Sequence, residues 1–192
     1  MGKIAFIFQY LTKPRTTGAI LPSSKYLARK MVEHINFDEA RCIVEYGPGT
    51  GVFTDKILSE RRAETEIILI ERNENFYNEL IEKYKNIPNL HIKNDTAENI
   101  GNCLSERGFS HADFIISGLP FASLPPEISE NILAQTVKFL KSDGFFITFQ
   151  YSLFKKKIFE RFFKISKIKH EMRNIPPAYI LTFSLQGDIH DI

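Results

Sequence analysis

Three glycines at alternate positions follow an acidic residue early in the chain, in the sequence Glu45-Tyr46-Gly47-Pro48-Gly49-Thr50-Gly51. The apolar residues Ile43 and Val44 precede it, so the pattern predicts a buried strand that turns sharply into a helix. Glycine has no Cβ, and its backbone can therefore approach a ligand closely. Open α/β sheets bind small molecules at such turns, at the carboxyl edge of the sheet. We therefore expect a nucleotide-type ligand here, although glycine-rich turns also serve as plain connections.

The spacing of these glycines indicates which ligand is favoured. A dinucleotide fingerprint needs a small residue at position 52, which is occupied by Val52. A phosphate-binding P-loop needs four residues between its glycines and a following Lys-Ser/Thr, and both are missing. Glu45 would repel a pyrophosphate but attract an ammonium or sulfonium group. A cationic nucleoside is therefore favoured over NAD and ATP.

A second apolar run that ends in an acid lies at residues 66–71, and Glu71 closes it. Glu71 follows Gly51 by roughly the 20 residues at which Rossmann-like folds place the carboxylate that accepts both ribose hydroxyls. Arg72 comes next and is predicted to contact the same ligand. Glu71 could also simply solvate a strand end, but two acid-terminated strands at this spacing are more specific than one.

A third strand, over residues 89–93, is followed by Asp95, Thr96 and Ala97. Asp95 could accept a hydrogen bond from an adenine amino group, with a backbone N–H of Thr96 or Ala97 on a ring nitrogen. Asp95 could equally be the N-cap of the next turn, with Glu98 completing a capping box. Both interpretations remain open at this point.

A fourth strand, over residues 112–117, leads into Ser117-Gly118-Leu119-Pro120-Phe121. Carbonyl groups of this segment could orient the N–H groups of an amine, and the aromatic ring could pack against that amine. The segment therefore suits an amine nucleophile held beside a methyl donor. Asp113 begins the strand, far from its carboxyl edge, and is not predicted to be catalytic.

The elements that must position these residues alternate between strands and helices. Predicted strands cover residues 41–46, 66–71, 89–93, 112–117, 145–151, 165–172 and 178–185, with predicted helices at 25–34, 51–59, 73–84, 125–140 and 153–163. This order predicts an α/β fold with a mostly parallel sheet covered by helices on both faces. The last two strands are joined by a short turn at Pro176-Pro177 and must form an antiparallel hairpin.

Two segments could meet a membrane surface. Residues 3–12 form a short apolar helix with basic ends, which either packs on the domain or lies in a membrane interface. The loop that follows ends at Ser23 and Ser24, and either serine can cap the helix from Lys25. The helix predicted at 153–163 carries lysines and an arginine opposite an apolar side. Those cations either face solvent or contact anionic headgroups.

Composition limits the remaining possibilities. A chain of 192 residues with 43% hydrophobic and 25% charged residues suits one domain over residues 1–192. Cys42 and Cys103 fit no C-x-x-C spacing, which favours reduced thiols in a cytosolic protein. No stretch has the length of an apolar membrane span, and no signal peptide is evident. The net charge of +2 is too small to indicate nucleic-acid binding, and no histidine has a partner at metal-ligand spacing.

The acid followed by G-x-G-x-G resembles motif I of the class I S-adenosylmethionine (SAM) methyltransferases, which have a Rossmann-like, seven-stranded sheet with one antiparallel strand. Further motifs at Lys13-Pro14, Thr17 to Ser24, Val44 to Gly51, Ser117 to Phe121 and Pro176 to Ala178 resemble the small bacterial phospholipid N-methyltransferases of the PmtA type. This resemblance implies methylation of the phosphatidylethanolamine amine, with S-adenosyl-L-homocysteine (SAH) as the product. It also implies a cytoplasmic enzyme that is peripheral on the inner face of the membrane and meets an anionic lipid surface.

The chain is also similar to the ribosomal RNA adenine N6-dimethyltransferases, whose corresponding tetrad is Asn-Leu/Ile-Pro-Tyr/Phe. Here Ser117-Gly118 replaces the leading Asn, and no added C-terminal helical domain is present. Both departures count against RNA as the partner. An RNA methyltransferase and a non-catalytic SAM- or lipid-binding module remain the alternatives.

The resemblance and the residue types together assign each predicted site residue a role. No metal is expected. The predicted roles are the amino-acid end of SAM for Glu45, Tyr46, Gly47, Gly49 and Gly51, the ribose for Glu71 and Arg72, the adenine for Asp95, Thr96 and Ala97, and the amine pocket for Ser117, Gly118, Leu119, Pro120 and Phe121, with Tyr10 on the lid. Ser23 on the covering loop and Ser117 are also predicted to contact SAM.

Overall fold

The computed structural model describes residues 24–154 and 156–185. The predictions for Tyr10, Ser23, the helix at 3–12 and the loop before Ser24 lie outside these residues. Within the described part, helices and strands alternate as expected. The elements are α1 (Lys25–Val32), β1 (Cys42–Tyr46), α2 (Val52–Glu60), β2 (Glu66–Ile70), α3 (Glu74–Tyr84), β3 (Leu90–Lys93), a 3-10 turn (Ala97–Asn99), α4 (Ile100–Ser105), β4 (Ala112–Ser117), α5 (Pro126–Phe139), β5 (Leu140–Gln150), α6 (Lys156–Glu160), β6 (Phe163–Glu171) and β7 (Ala178–Leu185).

The strands form one seven-stranded sheet in the order β3-β2-β1-β4-β5-β7-β6. Strands β1 to β5 pair in parallel, whereas β7 is antiparallel to both β5 and β6. This confirms the predicted seven-stranded sheet, its single antiparallel strand and the terminal hairpin. Because the first five strands run the same way, their carboxyl ends share one edge of the sheet.

Helices cover both faces of the sheet and bury two apolar clusters. On one face, Leu27 of α1, Ile57 of α2 and Leu80 of α3 pack against β1 and β2. On the other face, Ile100 of α4, Ile132 of α5 and Phe159 of α6 pack against the same sheet. Burial of the apolar residues on both sides stabilises the sheet and fixes the strand ends that carry polar side chains.

Local capping determines where several helices begin. The side-chain oxygen of Ser24 accepts a hydrogen bond from the Leu27 N–H, so Ser24 is the N-cap of α1. Asn73 caps α3 in the same way, through the backbone N–H groups of Asn75 and Phe76. Helix α5 begins at Pro126, where the missing N–H of proline costs nothing. The predicted starts of these three helices are confirmed.

Three expectations in the second half of the chain were wrong in detail. Strand β5 begins at Leu140 rather than at residue 145, because Leu140 already pairs with Ala112 of β4 and the register shifts before Phe114 pairs with Phe145. The helix predicted at 153–163 is confined to Lys156–Glu160, since Phe163 already pairs with Leu185 in the β6–β7 ladder. The connection before β4 contains a further helix, α4, which is missing from the predicted helices.

Candidate functional site

The strand register brings the predicted site residues to one edge of the sheet. Tyr46 at the end of β1 pairs with Ile70 of β2 on one side and Ser117 of β4 on the other. The residues that follow these strand ends are Gly47, Glu71 and Gly118. Strand order reverses between β1 and β4, which makes their ends the topological switch point at which open α/β sheets bind ligands.

The three glycines of the turn after β1, the glycine turn, have positive φ angles, a conformation that favours glycine over other residues. Gly47, Gly49 and Gly51 have φ values of +61°, +56° and +81°, in the left-handed region. A Cβ on Gly51 would overlap the Tyr84 hydroxyl oxygen, whereas a Cβ on Gly49 would meet nothing within 4 Å. The backbone at Gly49 therefore borders open space at the end of β1.

Glu45 is fully buried on the side of β1 that faces α2. Thr54 Oγ1, in the first turn of α2, donates a hydrogen bond to Glu45 Oε2 at 2.7 Å. The other oxygen, Oε1, has no hydrogen-bond partner among the residues that the structure describes. Burial raises the pKa of Glu45 to about 8, the Thr54 hydrogen bond opposes that rise, and the charge of Glu71 adds to it. This carboxylate therefore suits a cationic partner, which would stabilise its ionised form.

Glu71 lies at the end of the neighbouring strand and is only 7% exposed. Its Oε2 accepts a hydrogen bond from the Gly49 N–H at 3.1 Å, and its Oε1 accepts one from the Asn73 N–H at 2.8 Å. Burial raises the pKa of Glu71, while these backbone N–H groups lower it. The carboxylate joins the glycine turn to the start of α3, and its remaining lone pairs can still accept hydroxyl donors.

At the end of β3, the structure rules out one of the two roles predicted for Asp95, that of an N-cap. Asp95 Oδ1 accepts hydrogen bonds from the Thr96 N–H and from Asn99 Nδ2, each at 2.7 Å. The N-cap of the following 3-10 turn is Thr96, whose Oγ1 accepts from the Glu98 N–H. The capping box with Asp95 as N-cap was therefore wrong, because Thr96 already occupies that position. A role of Asp95 toward adenine stays a prediction.

Two further predicted cofactor residues differ in accessibility. Ala97 is buried among the apolar side chains under α4, so only its backbone can serve a ligand. Arg72 is exposed, and its carbonyl oxygen accepts a hydrogen bond from Asn94 Nδ2 at 3.3 Å. Asn94 Nδ2 also donates to the Glu71 carbonyl at 2.9 Å. Asn94 thus ties the ends of β2 and β3 together, a role that the sequence analysis missed although an amide directly after a strand was visible.

The segment after β4 packs directly on the glycine turn. The Gly118 N–H donates a hydrogen bond to the Tyr46 carbonyl at 2.8 Å. A Cβ on Gly118 would lie 2.7 Å from the Gly47 carbonyl oxygen, and a Cβ on Gly47 would lie 2.8 Å from Leu119 Cδ2. The two backbones therefore touch, which places the predicted cofactor turn and the predicted amine segment side by side.

Hydrogen bonds hold this segment in position. The hydroxyl oxygen of Ser117 accepts the Leu119 N–H at 3.2 Å, and Thr148 Oγ1 donates to the Ser117 carbonyl at 3.2 Å. The Pro120 carbonyl accepts from the Ser123 N–H at 2.8 Å. The Pro120 carbonyl also accepts the Leu124 N–H at 3.2 Å, and Ser117 has no exposed surface. Gly118 is half-buried, so its carbonyl oxygen is an acceptor of this segment that an amine could reach.

Two predicted side-chain roles require correction. The Phe121 ring was expected to pack against the amine, but it has no exposed surface and meets the Phe146 and Phe159 rings edge to face at 6.3 and 5.1 Å. The Tyr46 side chain is likewise fully buried, with its hydroxyl 3.3 Å from Thr136 Oγ1. Both side chains belong to the core because their residues point to the face covered by α5 and α6. Only the Tyr46 backbone lies at the site.

The far side of the glycine turn is held by residues that the sequence analysis did not single out. The Tyr84 hydroxyl donates to the Gly51 carbonyl at 3.0 Å and lies 2.7 Å from Asp55 Oδ1. Lys83 Nζ donates to the Thr50 carbonyl at 3.1 Å and to Asp55 Oδ2 at 2.7 Å. These residues end α3, far along the chain, and no local pattern connected them with the turn.

The described residues contain neither a metal-binding cluster nor a membrane-spanning helix. No group of three or more His, Cys, Asp or Glu side chains is arranged to hold a metal ion within 24–154 and 156–185. None of the helices in that part of the chain combines the length and apolar character needed to cross a bilayer.

The sequence matches known proteins over most of its length. Residues 12–166 match the family model described as ribosomal RNA adenine dimethylase. The chain is also 30% identical over 175 residues to an ornithine lipid N-methyltransferase from Singulisphaera acidiphila, and the match covers 90% of this chain and 91% of that protein.

Solved structures show the same fold at low identity. TrmN from Thermus thermophilus superimposes with a TM-score of 0.67 and 11% identity, covering 92% of this chain and 52% of the TrmN chain. This chain thus spans about half of that protein. The N-methyltransferase NodS from Bradyrhizobium japonicum, in complex with SAH, gives a TM-score of 0.64 at 11% identity, covering 83% of each chain.

Proposed function

The chain belongs to the ribosomal RNA adenine dimethylase family and is a SAM-dependent methyltransferase, and we propose that its acceptor is the primary amine of a membrane-lipid headgroup. Phosphatidylethanolamine is the proposed acceptor on the resemblance to phospholipid N-methyltransferases. The likeness to an ornithine lipid N-methyltransferase supports the broader class of lipid amines. The product would be a secondary amine or a more highly methylated one.

The packing at Gly118 is the observation that favours a lipid amine over an RNA adenine. The adenine dimethylases that this chain resembles carry Asn at the first position of their tetrad, and this chain carries Gly118 there. A side chain at this position would begin with a Cβ 2.7 Å from the Gly47 carbonyl oxygen. An Asn therefore could not be accommodated unless the glycine turn moved. The polar side chain that leads the RNA-type tetrad has no counterpart in this pocket.

The residues around the glycine turn fit SAM. Glu45 Oε1 is buried without a partner among the described residues, and the α-ammonium group of SAM would supply both a donor and a positive charge. The open space beside Gly49 would hold the amino-acid end of SAM. Glu71, at the next strand end, would accept the ribose hydroxyls, and the Asp95 to Ala97 segment would border the adenine.

SAM, when bound, supplies a methyl group whose bond to the sulfonium sulfur breaks as the amine nitrogen bonds to the carbon, leaving SAH. The chain itself would contribute binding and alignment. The Gly118 carbonyl oxygen would accept an N–H of the neutral amine and orient it. The hydrogen bonds from Thr148 and Leu119 keep that segment fixed during the approach of the acceptor. The proton that the amine loses would pass to solvent.

A transfer assay with radiolabelled SAM tests the acceptor directly. Vesicles that contain phosphatidylethanolamine, vesicles that contain ornithine lipid and protein-free ribosomal RNA should be offered in parallel to one preparation. We expect label in the lipid fraction and none in RNA. Label in ornithine lipid alone would confirm a lipid amine but refute phosphatidylethanolamine. Label in RNA alone would refute the proposal.

Two controls separate the possible reasons for a negative result. SAH binding measured by calorimetry on the same preparation shows whether the cofactor site is intact. Binding of SAH without transfer to any acceptor would favour the non-catalytic module. The Gly118→Asn variant tests the steric argument, since we expect it to lose transfer to lipid without gaining transfer to RNA.

A further inference from the structure

The apolar side chains that are most exposed in the described part of the chain lie on two loops at one edge of the sheet. Phe154 is 92% exposed, Ile175 68% and Met172 66%, whereas the other exposed large apolar residues range from 36% to 40%. Phe154 follows β5, and the other two lie in the turn between β6 and β7. Such a concentration at one edge is unlike the scattered single apolar residues of ordinary surfaces.

Strand register shows that these loops share the edge of the candidate site. Gln150 at the end of β5 pairs with Tyr179, and Glu171 at the end of β6 pairs with Ala178. Strands β5 and β6 therefore end side by side, separated only by β7, at the edge where β1 and β4 also end. The loops project beside the segment proposed to hold the amine. We call Leu153, Phe154, Met172 and Ile175 the apolar edge.

Basic residues border the apolar edge, and the loops contain no acid. The loops at residues 151–155 and 172–177 read YSLFK and MRNIPP, so their ionisable side chains are cationic apart from Tyr151. The first acid after residue 151 is Glu160, at the end of α6, which pairs with Lys156. Lys25, at the start of α1, and Lys157, in α6, are exposed. The Ser24 N–H donates to Asn174 Oδ1 at 3.0 Å, which holds the start of α1 against the β6–β7 turn.

Arg173 is fixed in place rather than available as a further cation. Its Nε and Nη2 donate to the two oxygens of buried Glu171 at 2.9 and 3.0 Å, and its guanidinium lies 4.2 Å from the Tyr26 ring. The Arg173 hydrogen bonds hold the pKa of Glu171 well below its usual range. This ion pair braces the turn that presents Met172 and Ile175, and the lysines carry the charge that can attract an anion.

We propose that the apolar edge inserts into the surface of an anionic lipid bilayer, with Lys25 and Lys157 against the headgroups. Projecting apolar tips bordered by cations suit the boundary between headgroups and acyl chains, whereas a folded protein partner would need a complementary concave surface. The inference rests on the proposed lipid acceptor, because insertion at this edge would bring headgroup amines to Ser117 to Pro120 without extracting the lipid.

Vesicle sedimentation tests the proposal. The double variant Phe154→Ser/Ile175→Ser should bind vesicles of phosphatidylcholine and phosphatidylglycerol at least about tenfold more weakly than the unchanged protein, because two apolar side chains no longer leave water. The matched double variant Ile87→Ser/Ile168→Ser removes two exposed isoleucines outside the apolar edge and should bind within about twofold of the unchanged protein. Equal binding by both double variants would overturn the proposal.

The charges can be tested separately. The variant Lys25→Gln/Lys157→Gln should weaken binding to the vesicles that contain phosphatidylglycerol several-fold, with little change on vesicles of phosphatidylcholine alone, as each basic residue near an anionic surface contributes modestly. An equal loss on both kinds of vesicle would contradict the assigned role of the lysines. Loss of ribosomal RNA affinity in the Phe154→Ser/Ile175→Ser variant, with vesicle binding unchanged, would assign this edge to RNA and overturn the proposal.

Two readouts distinguish failure of this proposal from failure of the proposed function. All variants should keep the SAH affinity of the unchanged protein and its methyl transfer to a short-chain lipid amine dispersed in detergent micelles. Transfer in micelles without any vesicle binding would overturn the insertion proposal and leave the lipid-amine function intact. Vesicle binding through the apolar edge without transfer to any lipid amine would refute the lipid-amine function and leave the insertion proposal intact.

Discussion

Replacing Glu45 by Gln should make the protein more stable at pH 8 and its cofactor binding weaker. The variant keeps the shape of the side chain and an oxygen for the Thr54 hydroxyl, but removes the titrating charge. The folded state raises the pKa of Glu45 from the usual 4.5 to about 8, mainly by desolvation. Since each pKa unit corresponds to about 1.4 kcal/mol, a buried carboxylate of this kind costs on the order of 4 kcal/mol at pH 8.

The sign of the pH dependence follows from this raised pKa. The folded protein holds the Glu45 proton more tightly than the unfolded chain does, so its stability falls as pH rises from about 4.5 to about 8. Gln does not titrate, although its NH₂ group would stand where Oε1 now lacks a partner, at a cost of about 1–3 kcal/mol. We therefore expect a net gain of about 2 kcal/mol at pH 8. At pH 4.5, where Glu45 is protonated in the folded protein and only the amide cost remains, we expect a net loss of about 1–3 kcal/mol.

Binding should change in the opposite direction. A hydrogen bond to a charged group contributes about 1.5–3 kcal/mol, so the Kd for SAH should rise about 10- to 150-fold at pH 8.5 in Glu45→Gln. In the unchanged protein, SAH affinity should fall as pH drops below 8, because the carboxylate then binds a proton instead. In the variant, this component of the pH dependence should disappear.

Urea unfolding and calorimetry with SAH at pH 5, 6.5 and 8.5 would measure both effects. Glu82→Gln is the control, since that carboxylate is exposed beside Lys85 and should change neither quantity. An SAH Kd within twofold of the unchanged protein at pH 8.5 would show that Glu45 does not meet the ammonium group. A stability difference that does not grow with pH would show that the pKa is not raised.

Four other substitutions probe the site and its support. Glu71→Ala should raise the Kd for SAH at least about tenfold, because the proposed ribose acceptor is lost, and unchanged affinity by calorimetry would refute that assignment. Gly51→Ala should cost more free energy of unfolding than Gly49→Ala, since both have positive φ but only the Cβ at position 51 meets Tyr84; equal urea midpoints would contradict this packing. Asp113→Ala should lower the free energy of unfolding in urea by about 1–3 kcal/mol, because the Arg41 and Cys42 N–H groups lose their acceptor. The SAH affinity should stay unchanged, and a loss of affinity would implicate Asp113 in the site.

The sequence was most informative where polar residues end buried strands. Glu45 and Glu71 could be assigned to one sheet edge because each closes an apolar run, and parallel strands place such ends together. The contact between Gly47 and Gly118 could not be predicted, since it depends on how closely two neighbouring strand ends approach. Spacing alone therefore predicted which strand ends meet at one sheet edge, but not how the candidate site packs internally.

Aromatic residues were harder to place. The sequence puts Phe121 beside the amine segment, but only the packed structure shows its ring among Phe146 and Phe159. Phe159 and Phe163 have helical spacing, yet Phe163 lies in β6, because a short helix followed by a strand also brings both rings to Phe183. An apolar period over so few residues does not distinguish the two arrangements.

A crystal structure with SAH would test most directly whether Glu45 and Glu71 hold opposite parts of one ligand. The account predicts the α-ammonium nitrogen within about 3.2 Å of Glu45 Oε1 and both ribose hydroxyls on the Glu71 carboxylate. A ligand whose ammonium group lies elsewhere, with Glu45 still bonded to Thr54 alone, or whose ribose does not reach Glu71, would contradict it.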